Sequence, residues 1–289
     1  MINTHRILVT GGNGRLGQAL ARKGCLALGR DRLDINDPTQ LAAVIEQNAP
    51  AFIINAAAFT NVDAAEAQPE LAKRVNADGA GTVARLAAVA GIPLIHVSTD
   101  LVFSEGDANQ PLKESTWTAP ASVYGETKLE GETLVRSAGG RHVVVRVSWL
   151  FGEGSESFIA KILKFGAQRE TLQLVTDEYG RPTSFDALAE QLVHLAGMMA
   201  SGHDLPTVLH LGPPGPVNRL EWAERIFAVA REHGGPDPKL EPVLGSHFPT
   251  PARRARGVVL DTSLADGLIG PMPDWRPACD ESVRTLLKG

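Results

Sequence analysis

The chain has 289 residues, 43% hydrophobic and 21% charged, with a formal net charge of −5: globular material, enough for one large α/β domain or a large and a small one. The densest basic run, Arg253-Arg254-Ala255-Arg256, is too short for nucleic acid but suits a phosphorylated small molecule. No run nears the ~18 apolar residues of a membrane span, no apolar leader opens the chain, and Cys25 and Cys279 form no metal-ligand spacing, so a cytoplasmic, membrane-free and metal-free protein is expected.

Arg6–Thr10 reads as a short buried strand, and Gly11-Gly12-Asn13-Gly14-Arg15-Leu16-Gly17 follows it before a helical pattern. Strand, glycine turn and helix in that order is the setting of a dinucleotide fingerprint, here spaced Gly11, Gly14, Gly17. Gly11 and Gly14 let backbone approach a pyrophosphate at the helix N-terminus, and Gly17 permits close helix–strand packing. A second strand, Cys25–Leu28, leads to Arg30 and Asp31. An arginine at this strand end favours the 2′-phosphate of NADP and an acid the free 2′-hydroxyl of NAD. The adjacent pair argues both ways and leans to NADP. Leu33-Asp34-Ile35 flanks the adenine position, and Pro38–Gln47 reads as a helix with Asp37 as its N-cap.

The next strand, Ala51–Asn55, runs into Ala56-Ala57-Ala58, small residues against which a cofactor can lie. Phe59–Glu66 reads as a polar loop, Pro69–Ala90 as one long helix, and Pro93–Ser98 as a buried strand. Strands alternating with helices predict a doubly wound parallel sheet.

Thr99 and Asp100 end that strand, and a long polar loop, Ser104–Ala121, separates them from a helix over Tyr124 to about Ala138. Tyr124 and Lys128 stand four apart and therefore share a helical face. A free tyrosine has a pKa of about 10, and a nearby ammonium stabilises the phenolate and lowers that value towards general-acid use. Val143–Val147 is another buried strand, with Ser148-Trp149 at its end. Beyond it the alternation loosens. Helices are predicted over 155–168, Phe185–Met199 and Leu220–Glu232, with strands at Leu172–Val175 and Thr207–Leu211. The division expected is a dinucleotide domain over 1–150, to which parts of 176–200 return, and a smaller mixed α/β substrate lobe over 151–289.

Several strings carry a family resemblance: Asn55–Glu66 (NAAAFTNVDAAE), His96–Phe103 (HVSTDLVF), Ser122–Glu132 (SVYGETKLEGE), Arg146–Gly152 (RVSWLFG), Asp177–Thr183 (DEYGRPT) and Phe248–Arg254 (FPTPARR). In this order they resemble the dTDP-4-dehydrorhamnose reductase family of the extended short-chain dehydrogenase/reductases, over nearly the whole chain. The resemblance implies a Rossmann-type fold and NADPH- or NADH-dependent reduction of the 4-keto group of a dTDP-4-keto-6-deoxy sugar. It implies a catalytic set of Thr99, Tyr124 and Lys128, with Tyr124 as proton donor. It implies cofactor contacts from Gly11, Asn13, Gly14, Arg15, Leu16, Asp34, Ile35, Ala56, Ala57 and Ala58, to which Arg30 is added from the charge argument. Thr60, Val62, Asp63, Asp100, Trp149 and Arg254 match substrate-side positions, with Arg253 and Arg256 as further candidates for the diphosphate. A homodimer is left open.

Three departures from the family pattern lie on the substrate side. Leu101 replaces an aromatic residue, Glu178 replaces a glutamine, and Arg254-Ala255-Arg256-Gly257 lacks the usual proline and asparagine–serine pair. The alternatives are another nucleotide-sugar 4-ketoreductase, a 4-epimerase, and a non-catalytic subunit like the regulatory subunit of methionine adenosyltransferase. A dehydratase needs a carboxylate pair beside the threonine, and Asp100 alone follows Thr99.

Overall fold

The computed structural model describes residues 3–152 and 157–288. The first two residues of the helix expected over 155–168 fall outside them. The first half alternates β1 (Ile7–Thr10), α1 (Arg15–Arg22), β2 (Leu26–Leu28), α2 (Pro38–Asn48), β3 (Phe52–Asn55), α3 (Val62–Ala67), α4 (Pro69–Lys73), α5 (Ala80–Val89), β4 (Leu94–Thr99), α6 (Val123–Ser137) and β5 (His142–Val147). The second half holds β6 (Leu150–Phe151), α7 (Phe158–Gly166), β7 (Thr171–Val175), β8 (Tyr179–Gly180), β9 (Thr183–Ser184), α8 (Phe185–Ala200) and β10 (Val208–His210). The chain ends in β11 (Val217–Asn218), α9 (Arg219–Glu232), β12 (Lys239–Val243), α10 (Ser263–Ile269) and α11 (Trp275–Lys288).

The main sheet has six strands in the order β10-β5-β4-β3-β1-β2, all parallel. This is the doubly wound sheet that the alternation predicts. Successive side chains of a strand point to opposite faces. Ile7, Val9, Phe52 and Ile54 pack with α1 and α8, whereas Leu8 and Ile53 pack with α2 and α5. Chain direction across the sheet reverses between β1 and β3, and ligands of open α/β sheets bind beyond the strand ends at such a switch point. Gly11 and Ala56 stand there.

Two second-half elements join this sheet: β10 pairs with β5 at its edge, and α8 packs on the face that α1 covers. A second core gathers around the fully buried Trp222 of α9, with Ile159 and Ile162 of α7, Leu172 of β7 and Val283 of α11. Asn218 begins α9 with a reciprocal capping box to Glu221.

Two local expectations need correction. The stretch read as a polar loop over Phe59–Glu66 contains helix α3, whose N-cap Asn61 accepts a hydrogen bond from the Ala64 N–H at 3.0 Å. The helix read as continuous over Pro69–Ala90 contains a π-helical segment, Arg74–Gly79. Within it Asn76 is buried: its Oδ1 accepts from the Phe59 N–H at 2.8 Å and its Nδ2 donates to Thr127 Oγ1 at 3.2 Å. The widened turn thus ties the backbone after Ala56-Ala57-Ala58 to α6, a use of π-bulges common at functional sites.

Candidate active site

The carboxyl ends of β1, β3 and β4 open into a cleft of about 1140 Å³, lined by the site residues expected from the sequence, from Gly11 to Arg254, except Asp31, Arg253 and Arg256. One end is a cradle of backbone. Gly11 has φ +74°, and a Cβ there would stand 2.7 Å from Ala57 Cα. A Cβ on Gly17 would collide with the Gly11 carbonyl and stand 2.7 Å from Gly12 Cα. Helix α1 starts at Gly14 with no side-chain cap, so its first N–H groups and the positive end of its dipole face the cleft. That arrangement fits a pyrophosphate. Beneath it, Thr10 Oγ1 donates to Asn55 Oδ1 at 2.6 Å, and Asn55 Nδ2 lies 3.1 Å from His96 Nδ1, fixing the floor.

Arg30 and Asp31 separate in space. Asp31 accepts from Asn13 Nδ2 at 3.0 Å and does not line the cleft, whereas Arg30 does, with its Nε 3.3 Å from Asp34 Oδ2. The Asn36 N–H donates to Asp34 at 2.9 Å and is the main cause holding that carboxyl below its usual range.

Thr99, Tyr124 and Lys128 stand at the centre. Ser122 caps α6 by accepting from the Gly125 N–H at 3.2 Å, and Glu66 accepts from the Val123 N–H at 2.9 Å. Gly125 has no room for a Cβ, which would strike the Leu101 carbonyl, so the first turn of α6 sits directly against the end of β4. Burial pushes the Tyr124 phenol up to about 12, the Thr99 hydroxyl beside it pulls it down, and the Asp100 charge pushes it up again. Burial brings Lys128 down to about 8, with Glu132 opposing. The sequence argument has Lys128 lowering the phenol. In the structure its Nζ donates to the Val97 carbonyl at 2.7 Å, and Thr99 is the group that lowers Tyr124. Asp100 is buried and pushed up to about 6, chiefly by desolvation, against a hydrogen bond from Thr99 and the charge of Arg219.

The far wall is cationic and aromatic. Trp149 has φ +46°, unusual for a bulky residue, and this turns its ring onto Gly180, where no Cβ could fit. Arg219 carries its guanidinium 3.6 Å from the centre of that ring, with Trp222 stacked behind at 5.6 Å. Its Nε stands 3.6 Å from Glu178 Oε2, and burial lowers its pKa to about 10 against the charges of Glu178 and Asp100. Arg254 pairs with Asp63 at 2.6 Å on the same wall. Arg253 and Arg256 are turned to Glu105 and Asp177 and do not line the cleft. A second cavity of about 660 Å³, walled by Phe158, Ile162, Phe165, Leu174 and Phe248, meets the cleft at Glu178 and Arg219.

Arg219 was missed from the sequence, although a signal was present. It is the first residue of α9, where a cation opposes the helix dipole and is disfavoured without another reason. Among the described residues no cluster of three metal-ligating side chains occurs, and no helix is long and apolar enough to cross a membrane.

A glycine cradle at the switch point of a parallel sheet, with threonine, tyrosine and lysine at the next strand end, defines the extended short-chain dehydrogenase/reductase class. The RmlD substrate binding domain family matches residues 5–288. The dTDP-4-dehydrorhamnose reductase of Sinorhizobium fredii is 36% identical over 290 residues, covering 98% of this chain and 96% of that protein. On these matches the chain belongs to the dTDP-4-dehydrorhamnose reductase family. Among solved structures, the Clostridium acetobutylicum reductase of that name superposes with a TM-score of 0.86 at 30% identity, covering 97% of this chain and 99% of that one. The Bacillus anthracis reductase, solved in complex with NADP, gives 0.84 at 28% identity and covers 98% of both chains.

Proposed function

We propose that this protein reduces the 4-keto group of dTDP-4-dehydrorhamnose to give dTDP-L-rhamnose, using NADPH or NADH, with Tyr124 as proton donor. The observation that carries the reading is the meeting of Thr99, Tyr124 and Lys128 on one wall of a cleft whose other end is the glycine cradle. The cradle fits a dinucleotide: backbone at Gly11, Gly14 and Ala57 with no side chain in the way, and a helix N-terminus for the pyrophosphate. Arg30 on the cleft wall, with Asp31 turned to Asn13, supports a 2′-phosphate and hence NADPH.

When bound, the reduced nicotinamide supplies the hydride. The chain's own residues do the rest. Thr99 and Tyr124 hydroxyls hold the substrate carbonyl oxygen, and Tyr124 gives it a proton as negative charge develops there. A phenol pushed up to about 12 holds its proton at neutral pH, so the donor is in its working form before substrate arrives. Lys128, at the same wall, is placed to meet the ribose hydroxyls and through them to oppose the charge left on Tyr124, a coupling that needs the cofactor. Trp149, its ring held between Gly180 and Arg219, walls the pocket on the sugar side, while Arg219 and Arg254 offer cations to a diphosphate.

The test is consumption of NADPH and NADH with dTDP-4-dehydrorhamnose generated in situ. Oxidation giving dTDP-L-rhamnose supports the reading, and the preferred cofactor decides the role of Arg30. A folded protein that binds NADPH but leaves this sugar untouched overturns the substrate assignment, and inertness towards other nucleotide 4-keto sugars overturns the reductase.

A further inference from the structure

Helix α6 presents Tyr124, Lys128 and Glu132 at every fourth position, one face of a single helix. Three consecutive residues of β4 meet them. The Thr99 hydroxyl stands against Tyr124, Lys128 Nζ donates to the Val97 carbonyl at 2.7 Å, and Ser98 Oγ donates to Glu132 Oε1 at 2.6 Å. The first two contacts face the cleft. In the third, Ser98 still lines the cleft, whereas Glu132 stands behind it, fully buried.

Arg146 completes the arrangement. It sits on β5 in register with Ser98, donating from Nε to Glu132 Oε1 at 2.9 Å and from Nη2 to Oε2 at 2.7 Å. Its remaining face lies 5.2 Å from the Phe103 ring and 3.4 Å from His210 Nε2. A buried bidentate pair loses hydration that an apolar pair of similar volume would not, so it is weak evidence for stability alone.

The neighbouring Lys128 supplies a reason. Buried at 2% exposure, it stands to lose its proton, and Glu132 is the charge that opposes this. The other titratable groups around α6 do not take over. His96 on β4 is held neutral by burial and by Lys128 itself. Lys73 and Glu130 pair with each other at 3.1 Å on the solvent side, Glu66 holds the helix N-terminus, and Asp100 acts on Tyr124.

We propose that Glu132 is a positioning residue of the acid–base site: clamped by Ser98 and Arg146, its carboxylate locks α6 onto β4 and fixes a negative charge one helical turn from the Lys128 ammonium. The inference rests on the acid–base role given to Tyr124 and Lys128 above, and it is read without substrate. The experiment follows the Lys128 side-chain NMR signal, assigned with Lys128→Met, through a pH titration of the cofactor-free protein. In Glu132→Gln the midpoint moves down by about one pH unit, a tenfold change in proton affinity, and the alkaline limb of kcat/KM moves with it. Glu132→Asp retains the charge and restores most of the shift.

Glu132→Gln leaves Arg146 unpaired and can fail to fold, so the deciding variant is Glu132→Gln combined with Arg146→Met, which removes the orphaned cation. It is expected to fold and still to titrate low at Lys128. A double variant whose Lys128 titrates as in the parent overturns the proposal, because Glu132 would then serve packing alone. A shifted Lys128 in a protein that reduces no keto-sugar leaves this inference standing and removes the substrate reading instead.

Discussion

Asp100 gives a prediction whose sign and size both follow from its surroundings. The carboxyl is 5% exposed and holds its proton up to about pH 6, against the 3.8 usual for an aspartate, mainly through burial. Between those two values the folded protein binds more protons than the unfolded chain, so this group's contribution improves as pH falls through 6. Above pH 6 both states are ionised, and the folded state carries the full penalty of about 3 kcal/mol. Asp100→Asn removes that charge while keeping an oxygen for the Thr99 hydroxyl, which now donates to Asp100 at 3.1 Å. The variant is therefore expected to be more stable than the parent by up to ~3 kcal/mol at about pH 8, with the gain fading below pH 6 and absent near pH 4. Part is offset because Arg219 loses one counter-charge and keeps only Glu178, 3.6 Å away. Urea unfolding at several pH values measures the difference. A variant no more stable than the parent at the upper pH, or one with the same gain at both ends, refutes the assignment of a strained, ionised Asp100.

Tyr124→Phe keeps the ring and removes the proton donor, so turnover is expected to fall by ~10²–10⁴ with NADPH binding intact; near-normal turnover assigns the proton to another group. Gly17→Ala would drive a Cβ against the backbone of Gly11 and Gly12, which cannot swing aside. Thermal unfolding and NADPH titration should register a loss of about 1–3 kcal/mol in stability together with weakened binding, and unchanged affinity would count against the glycine cradle. Arg219→Met preserves bulk against Trp149 without charge. If the guanidinium holds a diphosphate, KM for the nucleotide sugar rises about tenfold or more while KM for NADPH stays level, and parallel changes in both would dismiss that role.

The first half of the fold was legible because its signals are local. Apolar runs end in glycine or alanine at the strand ends, Asp37 and Pro38 announce α2, and a four-residue spacing aligns Tyr124 with Lys128. What escaped depends on partners distant in sequence. The π-helical turn over Arg74–Gly79 exists because Asn76 must reach Phe59 and Thr127, and nothing between Pro69 and Ala90 records those contacts. Asn61 is an N-cap type and Asp63 suits a first turn, yet helix α3 is so short that its residues read as a polar loop. The Arg253–Arg256 run looked like one anion site, but tertiary pairing with Glu105, Asp63 and Asp177 sends its arginines apart and leaves Arg254 as the one of the three on the cleft.

The same distinction explains where this protein stores its unfavourable charge. Asp100, Lys128 and Arg219 are each displaced from their ordinary proton affinity in the direction that burial dictates, and all three line one cleft. Strongly perturbed groups converging on one cavity are the electrostatic pattern expected of a reaction site, in keeping with the function proposed above. Glu132 and Arg146 stand outside that cavity, satisfied by each other and by Ser98. A pair placed there adds nothing to the cleft's lining, so its worth lies in what it does to the helix in front of it. Three contacts between α6 and β4 then act as one unit: Thr99 sets the tyrosine, Val97 seats the lysine, and Ser98 holds the carboxylate that keeps the lysine charged.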